Sequence, residues 1–409
     1  MTKNCAAWLL LLATSCGRQD SPLPPLITTD SAGVELVTSS WPPEGVDQFQ
    51  VITPPLLQIG SAEATRDEYL FSSIVSVQRL TDGRIAIADR AAHAVRIYDS
   101  TGHFLRSFGR EGSGPGEFRG IALLAVFSAD SLLVWDQLQF RGTIFGPGGE
   151  FVRHLTQPTF PGFFLPFLGM QDGTVLAFHG SPFIPPPAPA TEAPQGTEVY
   201  RVNLSDASKT LLAIDSSPAR RLTPTGWLPI RLHPMMRVGA FSGRIFIGNG
   251  ERFEVRELDI TGRLLRIVRV SRPALPVTEE MRELYKAALV KANSQSRALA
   301  SFERHLAAAP FSDSLPQFDR IVGTADGRLW VRDYVLPYHD ETQWVVFDSV
   351  GRLHSIVHLP SNFELHDAVG DRVNGWWLEP DAGPVVVSYQ LTPAPRGGGR
   401  TPRGSHPQR

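Results

Sequence analysis

An all-β fold of six small sheets set in a ring is what this sequence predicts, and three observations predict it. The first is a short string that returns along the chain: a turn, alternating apolar residues, then a polar stop. It occurs at Asp82–Asp89 (DGRIAIAD), Asp130–Asp136 (DSLLVWD), Asp172–His179 (DGTVLAFH), Ser242–Asn249 (SGRIFIGN), Asp326–Asp333 (DGRLWVRD) and Asp371–Glu379 (DRVNGWWLE). Alternation with period two marks a half-buried strand. The second is the hairpin that comes after several of these strings, with turns ending in Gly102, Gly262 and Gly351, where bulged hairpin loops favour glycine. The third is a repeat at fixed offset. Leu56–Phe71 lies over Phe104–Phe118, placing Gly60 over Gly109 and Glu68 over Glu117.

In chain order, residues 1–15 are expected to form a signal peptide. Lys3 precedes the apolar run Cys5–Ala13, which suits a signal core and is too short to span a bilayer. The small residues ATSC at Ala13–Cys16 resemble a bacterial lipobox, although leucine is commoner where Ala13 stands. That resemblance implies lipidation of Cys16, and Gly17 after it implies sorting to an outer membrane. An ordinary secretory signal is the alternative. Either places the protein in or beyond the cell envelope, outer-membrane or periplasm-facing. Residues 16–28 form a polar, Pro-rich tether, 29–392 the sheet domain, and 393–409 a Gly/Pro/Arg-rich disordered tail. The two cysteines, Cys5 and Cys16, both precede the domain, which excludes disulfides and cysteine-ligated zinc from it.

The Gly-rich stretch GREGSGPGEF, Gly109–Phe118, raises the prospect of a phosphate loop. Such a loop needs a helix N-terminus behind it. The next residues are instead RGIALLAVF, an apolar strand-like run, and Glu111 and Glu117 would repel an anion. The glycines are expected to supply positive φ in a strand crossover, with Pro115 stiffening it.

Four short strands per unit, six units and a period of about 45 residues match a β-propeller. The string from Asp82 to Phe118 resembles an NHL-type repeat, and residues 27–392 resemble the bacterial six-bladed β-propeller lipoproteins. The last blade, Glu364–Leu391, holds only three strands. The segment Leu56–Gly60, which matches an outermost strand, is expected to complete it and so to remove exposed edges. Val34–Val37 adds a further strand.

Three long departures from the period, at 180–197, 216–235 and 271–317, fall in connections that open on one face of a propeller. The last holds a helical insertion at 275–309. Thr278 suits an N-cap, Glu279 and Glu280 suit the first turn, and a second helix covers about Ser296–Ala308. It is read either as a lid over the funnel or as a decoration of the rim.

Candidate chemistry is sparse. Asp89, Asp136, His179, Asn249, Asp333 and Glu379 end the second strands. Three of them, Asp89, Asp136 and Asp333, could ligate Ca²⁺ from oxygen, as related propeller hydrolases and lyases hold a metal in the funnel. Equally, such side chains accept turn hydrogen bonds. His179, His233, His339 and His366 are candidates for zinc or, more plainly, for surface and half-buried histidines. His179, His233, Asn249, His339 and Glu379 are the ligand-face candidates. Trp376 and Trp377, on one strand, face opposite ways and are expected to pack in the core. Arg220 and Arg221 are expected in a solvated loop.

A formal net charge of −2 gives no support to nucleic acid or anionic membrane as partners, beyond the lipid anchor itself. The expected function is therefore a binding or interaction module that meets a peptide, glycan or protein through its loop-rich face. The alternative is a metal-dependent hydrolase or lyase of lactonase-like type.

Overall fold

The computed structural model describes residues 27–394 except 32, 44, 62–63, 128–129, 157–163, 171, 180–195, 217–218, 224–225 and 380–382. The signal segment, Cys16, the tail and most of the insertion at 180–197 lie outside the described residues.

The chain opens with β1 (Ile27–Ser31), β2 (Val34–Ser40), β3 (Asp47–Val51) and β4 (Leu57–Ile59). Blade one is β5 (Ile74–Arg79), β6 (Ile85–Asp89), β7 (Ala94–Tyr98) and β8 (Phe104–Phe108). Blade two is β9 (Ile121–Val126), β10 (Leu132–Asp136), β11 (Arg141–Phe145) and β12 (Phe151–Thr156). Blade three is β13 (Phe164–Gly169), β14 (Thr174–His179), β15 (Thr197–Asn203) and β16 (Lys209–Asp215). A hairpin, β17 (Arg220–Thr223) and β18 (Gly226–Pro229), leads to blade four: β19 (Arg237–Phe241), β20 (Arg244–Gly248), β21 (Glu254–Asp259) and β22 (Leu264–Ser271). Helices α1 (Glu279–Ala292) and α2 (Leu299–Ala308) separate it from blade five: β23 (Phe318–Gly323), β24 (Leu329–Asp333), β25 (Glu341–Phe347) and β26 (Leu353–Pro360). Blade six supplies β27 (Phe363–Val369), β28 (Arg372–Glu379) and β29 (Gly383–Pro393). The protein is thus an all-β, six-bladed propeller with a helical insertion between blades four and five.

Ring closure uses the expected strand. Ile59 faces Val386, Gln58 faces Val387 and Leu57 faces Ser388, so β4 is the fourth strand of blade six. The other N-terminal strands extend neighbouring rims. β2, the strand expected at Val34–Val37, runs parallel to β22 of blade four and carries β1 on its far side. β3 runs parallel to β26 of blade five, and also pairs with the end of β29. The start of the chain therefore sews the rims of blades four, five and six before entering blade one.

The core is divided among the blade interfaces. Buried side chains of blades one and two pack together around Leu80, Val95, Leu124 and Val134. Equivalent clusters lie between blades two and three, three and four, four and five, and five and six. The last interface, between blades six and one, gathers Ile59, Phe71, Ile74, Tyr98 and Val386. Ile59 is fully buried there. Burial of one such side chain is worth about 2 kcal/mol, which ties the N-terminal strand into the ring by packing as well as by hydrogen bonds.

The Gly-rich stretch is a strand crossover. Gly109, Gly112 and Gly116 all have positive φ. A Cβ on Gly109 would stand 2.7 Å from the Phe118 ring and 2.8 Å from the His93 carbonyl oxygen. The loop is braced from inside and from blade two. The Glu117 carboxylate accepts from the Gly114 amide at 2.7 Å and from Arg110 Nε at 2.8 Å. Arg141 donates to the carbonyls of Ser113, Gly114 and Glu117. At the matching position Gly60 abuts Phe71, not the Tyr69 that the fixed offset selects, because the first loop is longer.

The insertions pack on one another. Thr278 caps α1, its hydroxyl accepting from the Met281 amide at 3.2 Å. The second helix starts at Leu299, three residues after the expected Ser296. Met281 and Tyr285 of α1 pack with Leu232, Phe311, Leu336, Tyr334 and Tyr338. The Arg231 amide donates to the Pro310 carbonyl at 2.7 Å, joining the two inter-blade insertions. Arg220 departs from expectation. It is 8% exposed and donates to the Trp227 carbonyl within the β17–β18 hairpin, whereas Arg221 is exposed.

Candidate functional site: the charged mouth of the central channel

Second strands end where inner strands begin. Asp89 faces Ile74, Asp136 faces Ile121 and Asp333 faces Phe318 across their ladders. The three carboxylates therefore share a face, but each is engaged locally. Asp89 accepts from the amides of Ser72, Ser73 and Ala91, each at 3.1 Å. Asp136 accepts from the amides of Arg119 at 2.6 Å, Leu138 at 2.9 Å and Gln139 at 3.0 Å. Each clamps the turn after its own strand to the segment that enters the inner strand. Burial alone would raise the Asp136 pKa, but these donors outweigh it and hold it below the ordinary value. Asp333 instead takes a two-pronged contact from Arg272 at 3.0 and 3.1 Å and a bond from Gln343 at 2.8 Å. Its burial pushes the carboxyl up against the pull of Arg272. These donor sets do not fit a shared Ca²⁺ or Zn²⁺: the oxygens are occupied and lie in separate blades. Among the described residues no three His, Cys, Asp or Glu side chains are grouped to hold a metal ion.

The remaining candidates are also dispersed. His179 Nδ1 lies 2.8 Å from a Glu198 oxygen, and Tyr200 donates to that oxygen at 3.1 Å. His233 lies four residues ahead of β19, and burial lowers its pKa. Asn249 accepts from the Glu251 amide at 3.1 Å, closing a turn. His339 is exposed in the loop between β24 and β25. Glu379 ends β28, and its side chain lies outside the described residues. Trp377 packs at the interface of blades five and six, while Trp376 reaches the channel wall.

Of the candidates named from the sequence, His366 lines the central channel; most of the residues beside it are not among them. Five inner strands bulge, at their second residue in blades one, two and five and at their fourth in blades three and six, leaving Val75, Ala122, Asp319, Phe167 and His366 as the extra residues. A bulge re-aims the side chain it carries. All five line a channel of about 880 Å³. Its wall is divided. Blades one to three present Val75, Ala122, Phe167 and Phe178 towards the face where inner strands begin, and Ser76, Gln78, Arg79, Asp130 and Asp172 further along the channel. Phe167 and Phe178 stack with centroids 4.1 Å apart. Blades four to six present Arg237, Asp319, Arg320, Glu364 and His366.

The charged half is a network with one cation in excess. Arg332 Nε donates to Asp319 at 2.6 Å, and its other arm lies 3.8 Å from Glu364. Arg320 pairs with Glu364 and donates to the Leu365 carbonyl at 3.2 Å. The Arg320 side chain is 38% exposed and lines the channel. Arg237 has no such partner. Its Nε is buried without a hydrogen bond, and it makes no ion pair among the described residues. Burial lowers its pKa, with Asp319 opposing and Arg332 reinforcing that shift. Tyr334, beneath Tyr285 of α1, stays neutral because burial raises its pKa. His366 is held neutral by burial and by Arg320, its pKa pushed down to about 4. Three guanidiniums thus face two carboxylates. Apart from His366, sequence reading misses this group, whose one local signal is charge at inner-strand starts: Arg237, Asp319, Arg320 and Glu364.

Comparisons agree with the architecture. A family model described as a 6-bladed beta-propeller, DUF5128, matches residues 64–174. None of the curated proteins matches the chain. A member of the DUF4221 family from Bacteroides vulgatus superposes with TM-score 0.51 at 12% identity, covering 85% of this chain and 99% of its own. A gluconolactonase from Xanthomonas campestris has TM-score 0.43 and 14% identity, covering 91% of this chain and 99% of its own. At 12% identity the likeness to the DUF4221 member is one of fold, and the family model describes the fold seen here, a six-bladed β-propeller.

Proposed function

We propose that the protein is an exported, lipid-anchored propeller that binds a ligand or partner at its loop-rich face. One observation carries this reading. The two described insertions are bonded to each other and packed on blade five at the face where the channel meets its charged wall. A rigid ring presenting loops of this kind is a common platform for recognition. The sequence supports export through Cys5–Ala13 and anchoring through Cys16, and the repeat string from Asp82 to Phe118 supports an NHL-like lineage. Among the described residues no helix is long and apolar enough to cross a membrane. The metal-dependent hydrolase or lyase reading gains nothing from the geometry, since Asp89, Asp136 and Asp333 are committed to separate contacts.

Hydrogen exchange on the mature domain, with and without solubilised envelope extract, tests the reading. Protection is expected in 219–235 and 272–317. Protection confined to the opposite face, or none, overturns it. Cys16→Ser is expected to move the protein out of the membrane fraction, and unchanged fractionation would remove the anchor from the proposal.

A further inference from the structure

The channel wall says what chemistry the mouth is built to receive. Resting on the binding-module reading, we propose that the channel mouth takes a small amphipathic monocarboxylate, its head on Arg237 and its apolar body against the wall of blades one to three.

Charge comes first. Arg237, Arg320 and Arg332 face Asp319 and Glu364, and His366 is neutral, so the cluster at the mouth lacks one negative charge; Asp367, on the same wall, accepts from the Ala325 amide at 3.3 Å, in the turn at the far end of β23. Asp319 and Glu364 are already bound by Arg332 and Arg320. The Arg237 guanidinium lines the channel and makes no ion pair or hydrogen bond among the described residues. A half-buried guanidinium without a counter-ion is unfavourable, and a carboxylate is the acceptor whose shape matches the nitrogens it turns to the channel. One monoanion balances the group, whereas a dianion would overshoot it. Shape comes second. Opposite the charged wall, Val75, Ala122 and the stacked Phe167–Phe178 pair offer no hydrogen-bonding side chain. A fully polar anion would leave that wall against its own hydration shell, and an apolar body would cover it. The channel volume of about 880 Å³ accommodates a molecule of this kind.

Calorimetric titration of the mature domain with decanoate, decanol and decyltrimethylammonium at low salt decides the matter. Decanoate is expected to bind roughly tenfold or more tightly than decanol, and the ammonium compound most weakly. Butyrate, with the same head and little body, is expected to bind more weakly than decanoate. Arg237→Gln is expected to abolish the preference for decanoate over decanol, and Arg237→Lys to retain part of it. The inference is overturned if decanoate binds no better than decanol, if none of the probes binds, or if Arg237→Gln keeps the preference. Should Arg237→Gln fail to fold, the wild-type ratio of decanoate to decanol and the Lys variant still decide. Envelope-dependent protection of 219–235 and 272–317 with no decanoate binding would sink the carboxylate and leave the binding-module reading standing.

Discussion

For a single residue, position can be legible while role is opaque. Asp136 is expected at a strand end on a shared face, and it is there. Its oxygens face inward to backbone amides, not outward to a channel. Removing it by Asp136→Ala leaves the amides of Arg119, Leu138 and Gln139 without an acceptor. A loss of about 3 kcal/mol in urea denaturation at pH 7 is expected, with Asp136→Asn costing less. Its folded pKa is depressed, so its stabilisation is complete above the unfolded value of about 3.9 and fades as pH falls through the lower folded value. The stability gap between the wild type and Asp136→Asn is therefore expected to shrink between roughly pH 5 and pH 2. A gap independent of pH would contradict the assignment.

Among the elements, the Gly-rich crossover shows how far a local pattern reaches. The pattern marks its glycines as conformational, and their φ values agree. The contact that makes Gly109 irreplaceable comes from Phe118 and the His93 carbonyl, which the pattern does not display. Gly109→Ala meets both the left-handed φ of 93° and those two atoms. It is expected to cost about 3 kcal/mol. Gly33→Ala has a similar φ and nothing within 4 Å, and about 1 kcal/mol is expected. Thermal melts of the two variants, differing by several degrees, check this. The helical insertion behaves alike: the Thr278 cap is legible from residue type, but its docking on Tyr334 and Tyr338 requires the fold.

Across the whole molecule, closure is the feature on which the rest depends. A mature chain starting at Val34 lacks only β1, a rim strand beyond β2, and is expected to fold. A chain starting at Ser61 loses β2, β3 and β4 with the buried Ile59, exposing edges of β22, β26 and β29 and opening the interface of blades six and one. That variant is expected to lose its cooperative melt and to associate, as read by circular dichroism and size-exclusion chromatography. Equal melts for both truncations would show that neither β4 nor the rim strands β2 and β3 seal the ring.

Strand period, the number of blades, the strand that completes the last one and the helix cap are all set in the linear chain. Each is written in residues close together or in a repeat at fixed offset. Which side chains meet in the channel emerges only once the blades are assembled. Arg237, Asp319, Arg320 and Glu364 come from three blades, and no spacing in the chain links them. The bulges settle the rest, because one extra residue in a strand changes which side chain faces inward, and alternation alone does not reveal it.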